Sequence, residues 1–574
     1  MKISIDPRKV FPRRFVPAAA NMGRWEEIDP LGEVLLAQQP GSPAALEQWL
    51  EDLSELAAAV WEERNRRYIA MTSQTDDPER ERAFLSFVQE VEPKVKMLGH
   101  RLDEAYLGNP HRGRLSERYR LLDRRIENRF TLYRDENIPL EVKENELRTQ
   151  FQKVTGAMTA IFRGEERTLQ QMAVFLEEPD RATRREAWEL TNQRRLADRE
   201  TLEGLFDQLR DVRLRIARNA GFDSYIDYVF RRHERFDYTP EDCRRFHDAV
   251  EAHFVPLMER LIRERQNLMG GETLRPWDLE VDPLGRPALR PFERADDLVA
   301  RSEAVFRRVN PELGEHFRFM REEGLLDLES RKGKAPGGYQ SELTERRWPF
   351  IFMNAVGLDK DVRTLLHEGG HAFNSIAARE EPLLEYRDPP LEFAEVASMG
   401  MELLSAPHLD VFYPNEEERR RAYRERLEGI VRIVPWIATI DAFQHWLYAH
   451  PAHTREERRE AWVRIHSRFH RGVDWTGHDE ALAFMWHRQL HIFLHPFYYI
   501  EYGIAQLGAL QVWLRSRTDY GDAVARYRAA LALGGTRSLP DLFTAAGARF
   551  NFDRETVAPL AEALAEELVR NPYA

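Results

Sequence analysis

LLHEGGHAFNS, residues 365–375, sets His367 and His371 four positions apart with Glu368 directly after the first, inside an apolar run of helical character. On a helix, residues i and i+4 lie one above the other on a single face, so two imidazoles reach one small cation at roughly 2.0–2.1 Å each. Residue i+1 stands about 100° round the axis, past the cation rather than on it. Glu368 can therefore act on a water that the metal has acidified, taking its proton as general base and later handing it to a leaving amine. This H-E-x-x-H spacing predicts a helix that carries zinc-dependent peptidase chemistry. Gly369 and Gly370 cost about 1 kcal/mol each relative to Ala in a helix interior, so something must approach this backbone closely: a ligand, or a second helix crossing it.

With 18 histidines in the chain, other pairs at the same spacing arise by chance. His466 and His470, His487 and His491, and His491 and His495 are three of them, but their first members are followed by Ser467, Arg488 and Ile492 rather than by a carboxylate. These pairs read as helix-surface or core histidines.

A catalytic zinc takes three protein ligands and leaves its fourth position open. The best third candidate is Glu395, 24 residues beyond His371 in LEFAEVASMGMELL, where Phe393, Val396, Ala397, Gly400 and Met401 form the buried face of a helix. A carboxylate in such company is costly unless it is paired or coordinates a metal. Glu392 and Glu402 lie on nearly the same face and are candidates for orienting the ligand histidines, or are plain structural or solvated carboxylates.

TLLHEGGHAFNS, FAEVAS with Glu395, and HIFLHPFYYIEYGIAQLGAL at 491–510 together resemble the thimet oligopeptidase family, most closely its bacterial oligoendopeptidase F branch. The resemblance covers about residues 190 to 570 with specific motifs, and more loosely the helical region before it. It implies His367, His371 and Glu395 as ligands of one zinc per chain and Glu368 as the base. It also implies that His491 and one or more of Tyr498, Tyr499 and Tyr502 hold the oxyanion. His495 and Pro496 interrupt the family's spacing here, which leaves open which tyrosine faces the metal. The implied architecture is a mostly α, ellipsoidal body with a deep internal channel that admits short unfolded peptides.

The tyrosine segment has a reading of its own. Pro496 suits the first position of a helix, on which Tyr498 and Tyr502 share one face and Tyr499 does not. Phenols aimed at developing negative charge are worth about 2.7–4 kcal/mol for a well-placed donor. Core packing is the alternative for each of them.

Before the metal helix, GKAPGGYQSELTERRWPFIFMNAVGLDKDVRTLL (333–366) reads as a turn, a strand over Pro349 to Val356, and a helix starting near Asp359 or Asp361. A small sheet beside the H-E-x-x-H helix can pair with an extended peptide backbone. Gly337, Gly338 and Tyr339 are expected to border that cleft, with Tyr499 on the substrate side, or else to form a simple hairpin turn. Amphipathic helical patterns cover 42–65, 81–106, 140–176, 200–219, 240–267, 416–449 and 555–570, and Trp277–Pro287 reads as an extended connection. No Pro/Gly/Ser-rich linker divides the chain. An N-terminal helical region, 1–195, and a catalytic region, 196–574, are expected on the resemblance more than on composition.

A net charge of −13 with acidic and basic residues interspersed argues against a nucleic-acid binder, and the basic cluster at Arg13 and Arg14 reads as solvated surface. No apolar run is long enough to span a membrane, and MKISIDPRKVFPRRFVPAAA lacks the apolar core of a secretion signal. One cysteine, Cys243, excludes an internal disulfide and suits the cytoplasm. The expected function is a zinc endopeptidase of oligopeptides. A zinc exopeptidase of carboxypeptidase type, which needs a charged group to grip a free terminus, is the first alternative. A non-catalytic helical peptide-binding protein is the second.

Overall fold

A computed structural model describes residues 5–573, and helices make up most of them. Six helices position the site: α1 (Pro43–Ser73), α2 (Pro240–Leu268), α3 (Asp359–Ala378), α4 (Leu391–Leu404), α5 (Glu416–Ala449) and α6 (Tyr499–Ser516). Their starts follow capping chemistry. Ser42 accepts the Ala45 N–H ahead of Pro43, Thr239 and Asp242 form a capping box, and Asn415 accepts from Glu417 and Glu418. The Asp361 carboxylate accepts the N–H groups of Val356 and Leu358 at 2.8 and 2.9 Å, fixing where α3 begins.

Two small sheets accompany the helices. β1 (Thr159–Phe162) and β2 (Glu165–Thr168) form an antiparallel hairpin. β3 (Leu326–Glu329), β4 (Tyr339–Leu343) and β5 (Trp348–Ala355) form a sheet of order β3-β5-β4, with β5 parallel to β3 and antiparallel to β4. β5 is buried almost throughout and runs through Gly357, at φ +95°, directly into α3. β4 is an edge strand, and it lies against α1 and α3.

The expected helix over 140–176 ends early. Ile138–Gly156 is helical, but the chain then turns through Arg163 and Gly164, both at positive φ, and pairs β1 with β2. Thr159, Ile161, Phe162 and Thr168 are β-branched or aromatic and suit the pleated surface there, with Phe162 buried and Ile161 exposed. Within Trp277–Pro287, a 3-10 turn at Pro276–Asp278 precedes the extended part, held because buried Asp278 accepts from Arg181 and Arg184. Arg13 is not solvated: it pairs with Glu345 and donates to the carbonyls of Pro17 and Ala20.

The apolar interior has a large cluster running from Leu147 to Leu568 and a second one formed by Val16–Ile126 together with Leu383 and Tyr386. Glycines let the central helices touch. A Cβ on Gly508 of α6 would stand 2.7 Å from Val396 of α4, and one on Gly503 would stand 2.7 Å from Phe246 of α2.

Candidate metal centre

Gly369 and Gly370 mark a tight crossing. A Cβ on Gly370 would lie 2.5 Å from both the Ala397 carbonyl oxygen and the Ser398 Cα, while one on Gly369 would meet the Phe306 ring at 2.5 Å. The backbones of α3 and α4 are therefore in contact, and this brings Glu395 over the histidine face. Glu395 Oε2 lies 3.3 Å from His367 Nε2 and 3.7 Å from His371 Nε2. Ligands at zinc bond lengths around a tetrahedral ion stand about 3.4 Å apart, so this donor set fits such an ion.

Each of the three is held from behind. His367 Nδ1 is 2.7 Å from Glu402 Oε1, which directs its Nε2 inward. The His371 ring hydrogen-bonds the Ala394 carbonyl, and Ser398 Oγ donates to Glu395 Oε2 at 2.9 Å. Glu392, expected to help orient the histidines, instead accepts from the Tyr238 hydroxyl at 2.7 Å, close to the Arg235–Glu501 pair. Glu392 thus takes the structural alternative, bonded to the Tyr238 hydroxyl just ahead of α2 rather than to a ligand histidine.

Burial opposes the charged form of His367, but Glu395 and Glu402 outweigh it and raise its pKa well above the usual value. Burial pushes His371 down to about 4. Glu368 is 8 % exposed, and burial pushes its carboxyl up to about 7, while the Gln340 N–H of β4 bonds to it. A buried carboxyl beside two converging imidazoles, titrating near neutrality, is suited to receiving a proton.

His491, Tyr498, Tyr499 and Tyr502 form one aromatic cluster, with the His491 ring 5.8, 4.7 and 6.2 Å from the three phenol rings in that order. Burial raises the pKa of all three tyrosines, keeping them protonated donors. The Glu395 carboxylate adds to the rise at Tyr498 and Tyr502, so these two share the field of the donor trio, whereas Tyr499 lies toward Gln489 and Trp436. The helix does not start at Pro496: Phe497 adopts φ +64°, its N–H donates to Gln444, and α6 begins at Tyr499 with Tyr498 as its cap.

Gln489, which the sequence did not single out, sets the state of His491. The Trp436 indole N–H donates to Gln489 Oε1 at 3.1 Å, so the amide turns its NH₂ to His491 Nδ1 at 2.7 Å. His491 must then carry its proton on Nε2. Burial lowers the His491 pKa to about 4, so it is a neutral donor.

Gly337 is in the left-handed region at φ +98°, Gly338 packs against Thr364 and β5, and Tyr339 opens β4 with its phenol bonded to Thr72 at 2.6 Å. The tyrosine side chain thus turns to α1, and it is the backbone of this edge that faces α3. Among the other histidine pairs, His466 and His470 stack at 4.6 Å and His487 faces Glu203. A second buried donor group, Cys243, Asp441 and His445, joins α2 to α5, with Asp441 also bonded to His247 at 2.8 Å.

The model of peptidase family M3 matches residues 174–562. The chain belongs to that family. Oligopeptidase PepF of Bacillus subtilis (strain 168) is 24 % identical over 300 residues, 51 % of this chain and 43 % of that one. The oligoendopeptidase F homolog of Lactococcus lactis subsp. lactis (strain IL1403) is 28 % identical over 151 residues, 26 % of this chain and 24 % of that one. These alignments span under half the length of the relatives. The solved structure of Pz peptidase A with inhibitor 2 is similar over 97 % of this chain and 99 % of that one, at 30 % identity and a TM-score of 0.88. Oligoendopeptidase F from Enterococcus faecium, at 14 % identity and a TM-score of 0.64, shares the fold. Among the described residues, no helix is long and apolar enough to cross a membrane.

Proposed function

We propose that this M3-family chain is a zinc-dependent endopeptidase of oligopeptides working in the cytoplasm. His367, His371 and Glu395 hold one zinc, and Glu368 is the general base. The observation that carries this reading is the convergence of the two Nε2 atoms and the Glu395 carboxylate, all within 4.8 Å of one another, with Glu368 on the next helix position. When bound, the ion supplies a Lewis acid that polarises a carbonyl and acidifies water.

The chain's own groups do the rest. Glu368 takes the proton of the attacking water and returns it to the leaving amine. Tyr498 and Tyr502, with the Nε2–H of His491, donate to the developing oxyanion, and Tyr499 lines the substrate side. The open edge of β4, entered through Gly337, Gly338 and Tyr339, pairs with the extended substrate backbone, because the Gln340 N–H there already points at Glu368.

Replacing Glu368 by Gln tests the assignment. Hydrolysis of a peptide blocked at both ends should vanish while zinc content stays at one per chain. Retained turnover would remove Glu368 from the mechanism, and cleavage confined to unblocked peptides would make the enzyme an exopeptidase.

A further inference from the structure

A cavity of about 570 Å³ lies between the helix Arg181–Ala197, α2, α5 and the turn Met485–Arg488. That volume is in the range of ligand sites, roughly 300–1,000 Å³. Trp188, Trp436 and Trp475 are among its walls. Three guanidiniums, those of Arg195, Arg432 and Arg488, line it with no carboxylate at ion-pair distance among the described residues. Arg195 Nε is buried without a hydrogen-bond partner, and the Arg488 guanidinium sits over the Trp436 ring at 4.9 Å.

The other charges of the lining are engaged or outnumbered. Glu428 accepts from Arg424 and Tyr573, Arg265 donates to the Asp278 carbonyl, and Arg471 faces Glu251 and Glu259. Glu280 alone is a carboxylate on the wall with no ion pair among the described residues; its charge reaches Arg488, which leaves three guanidiniums against one carboxylate. Burial, and then Arg488, pull the Arg195 pKa down to about 10. Two like charges sharing a partly desolvated space cost stability unless an anion joins them.

The cavity adjoins the candidate centre. Trp436 on its wall donates to Gln489, which in turn bonds His491. A smaller cavity of about 200 Å³ shares Gly429 and Ile433 with it and reaches Glu402, the partner of His367.

We propose that Arg195 and Arg488 form a receptor for a carboxylate of the bound oligopeptide. Arginine forks bind carboxylates bidentately, and every oligopeptide with a free C-terminus carries such a group. The tryptophan walls would then cover the residues on the leaving side of the cut. This rests on the peptidase reading for its substrate, but its test does not depend on turnover.

Three peptides of one internal sequence distinguish the sources of the carboxylate: a free acid, its amide, and an amide ending in Glu. Their affinities are measured by calorimetry with the Glu368→Gln chain, and their hydrolysis with the parent. The free acid should bind about tenfold or more tighter than the amide. Arg195→Gln with Arg488→Gln should bring the ratio to about one while the chain still melts cooperatively, since no ion pair is lost and only the Arg488 contact with Trp436 goes. If the Glu-ended amide matches the acid, a side-chain carboxylate serves as well; if it does not, the receptor reads the chain terminus. Equal affinity of acid and amide for the parent pocket, or a ratio that survives the double substitution, would overturn the proposal. Discriminating affinity without any hydrolysis by the parent would instead keep the receptor and sink the peptidase reading.

Discussion

At the scale of single residues, Glu402 and Gln489 do their work through another side chain. Glu402 fixes the His367 ring through Nδ1 at 2.7 Å. Glu402→Gln should therefore weaken zinc binding by about 10- to 100-fold while sparing the fold, measured by competition with a chelator. Unchanged affinity would mean that the ring is oriented by packing alone. Gln489→Leu should free the His491 ring to adopt either tautomer and lower kcat with little effect on KM. The convergence of His367 and His371, the proposed ligands, was legible because one helical turn specifies their geometry locally. Glu395 was legible because its neighbours are apolar, so a carboxylate among them needed a partner. Gln489 was not, since its role depends on Trp436 from α5, 53 positions away.

At the scale of elements, the crossing of α3 on α4 sets the site. Gly370→Ala places a methyl 2.5 Å from backbone atoms of α4, which cannot rotate away, whereas the same change at Gly369 meets the Phe306 side chain. Overpacking of this kind costs about 1–3 kcal/mol. Gly370→Ala should cost more stability than Gly369→Ala and should also reduce zinc affinity by moving Glu395 off the histidines. Equal effects of the two changes on zinc would show that the crossing does not position the carboxylate. On α6, Tyr498→Phe and Tyr502→Phe should each lower kcat by about a hundredfold with KM nearly unchanged, and Tyr499→Phe should do less. The start of this helix escaped sequence reading because Phe497 takes a left-handed backbone conformation, uncommon for a bulky residue and held by Gln444 and Arg235. The hairpin β1–β2 was hidden by its flanking helical periodicity.

At the scale of the whole molecule, burial of titratable groups sets the response to pH. Burial pushes His316 down to about 4 and His470 and His233 to about 3. The unfolded chain binds protons at these sites below pH about 6.5 that the folded chain refuses, so stability falls as pH drops toward 3. Glu342 has the opposite sign: burial raises it to about 7, so its contribution is present below about 4.5 and is lost as pH rises through 7. Between pH about 4.5 and 6.5 the three histidines outweigh the one carboxyl, so the melting temperature should rise with pH across that window and be highest at pH about 6.5–7. His316→Gln should flatten that rise and Glu342→Gln should steepen it between pH about 4.5 and 7, and parallel profiles for parent and variants would refute the assignment. The mostly helical class was legible from amphipathic periodicity spread along the chain. The arginine-lined cavity was not, because its walls come from four separate stretches and Tyr573, whose charges reveal no lack of partners until they are folded together.

The central claim is that α3 and α4 together grip one cation. Anomalous scattering at the zinc edge from crystals of the parent chain tests it most directly. One peak, bonded to His367 Nε2, His371 Nε2 and the Glu395 carboxylate, is the expected result. A peak elsewhere, or a Glu395 side chain turned away from the two rings, would contradict it.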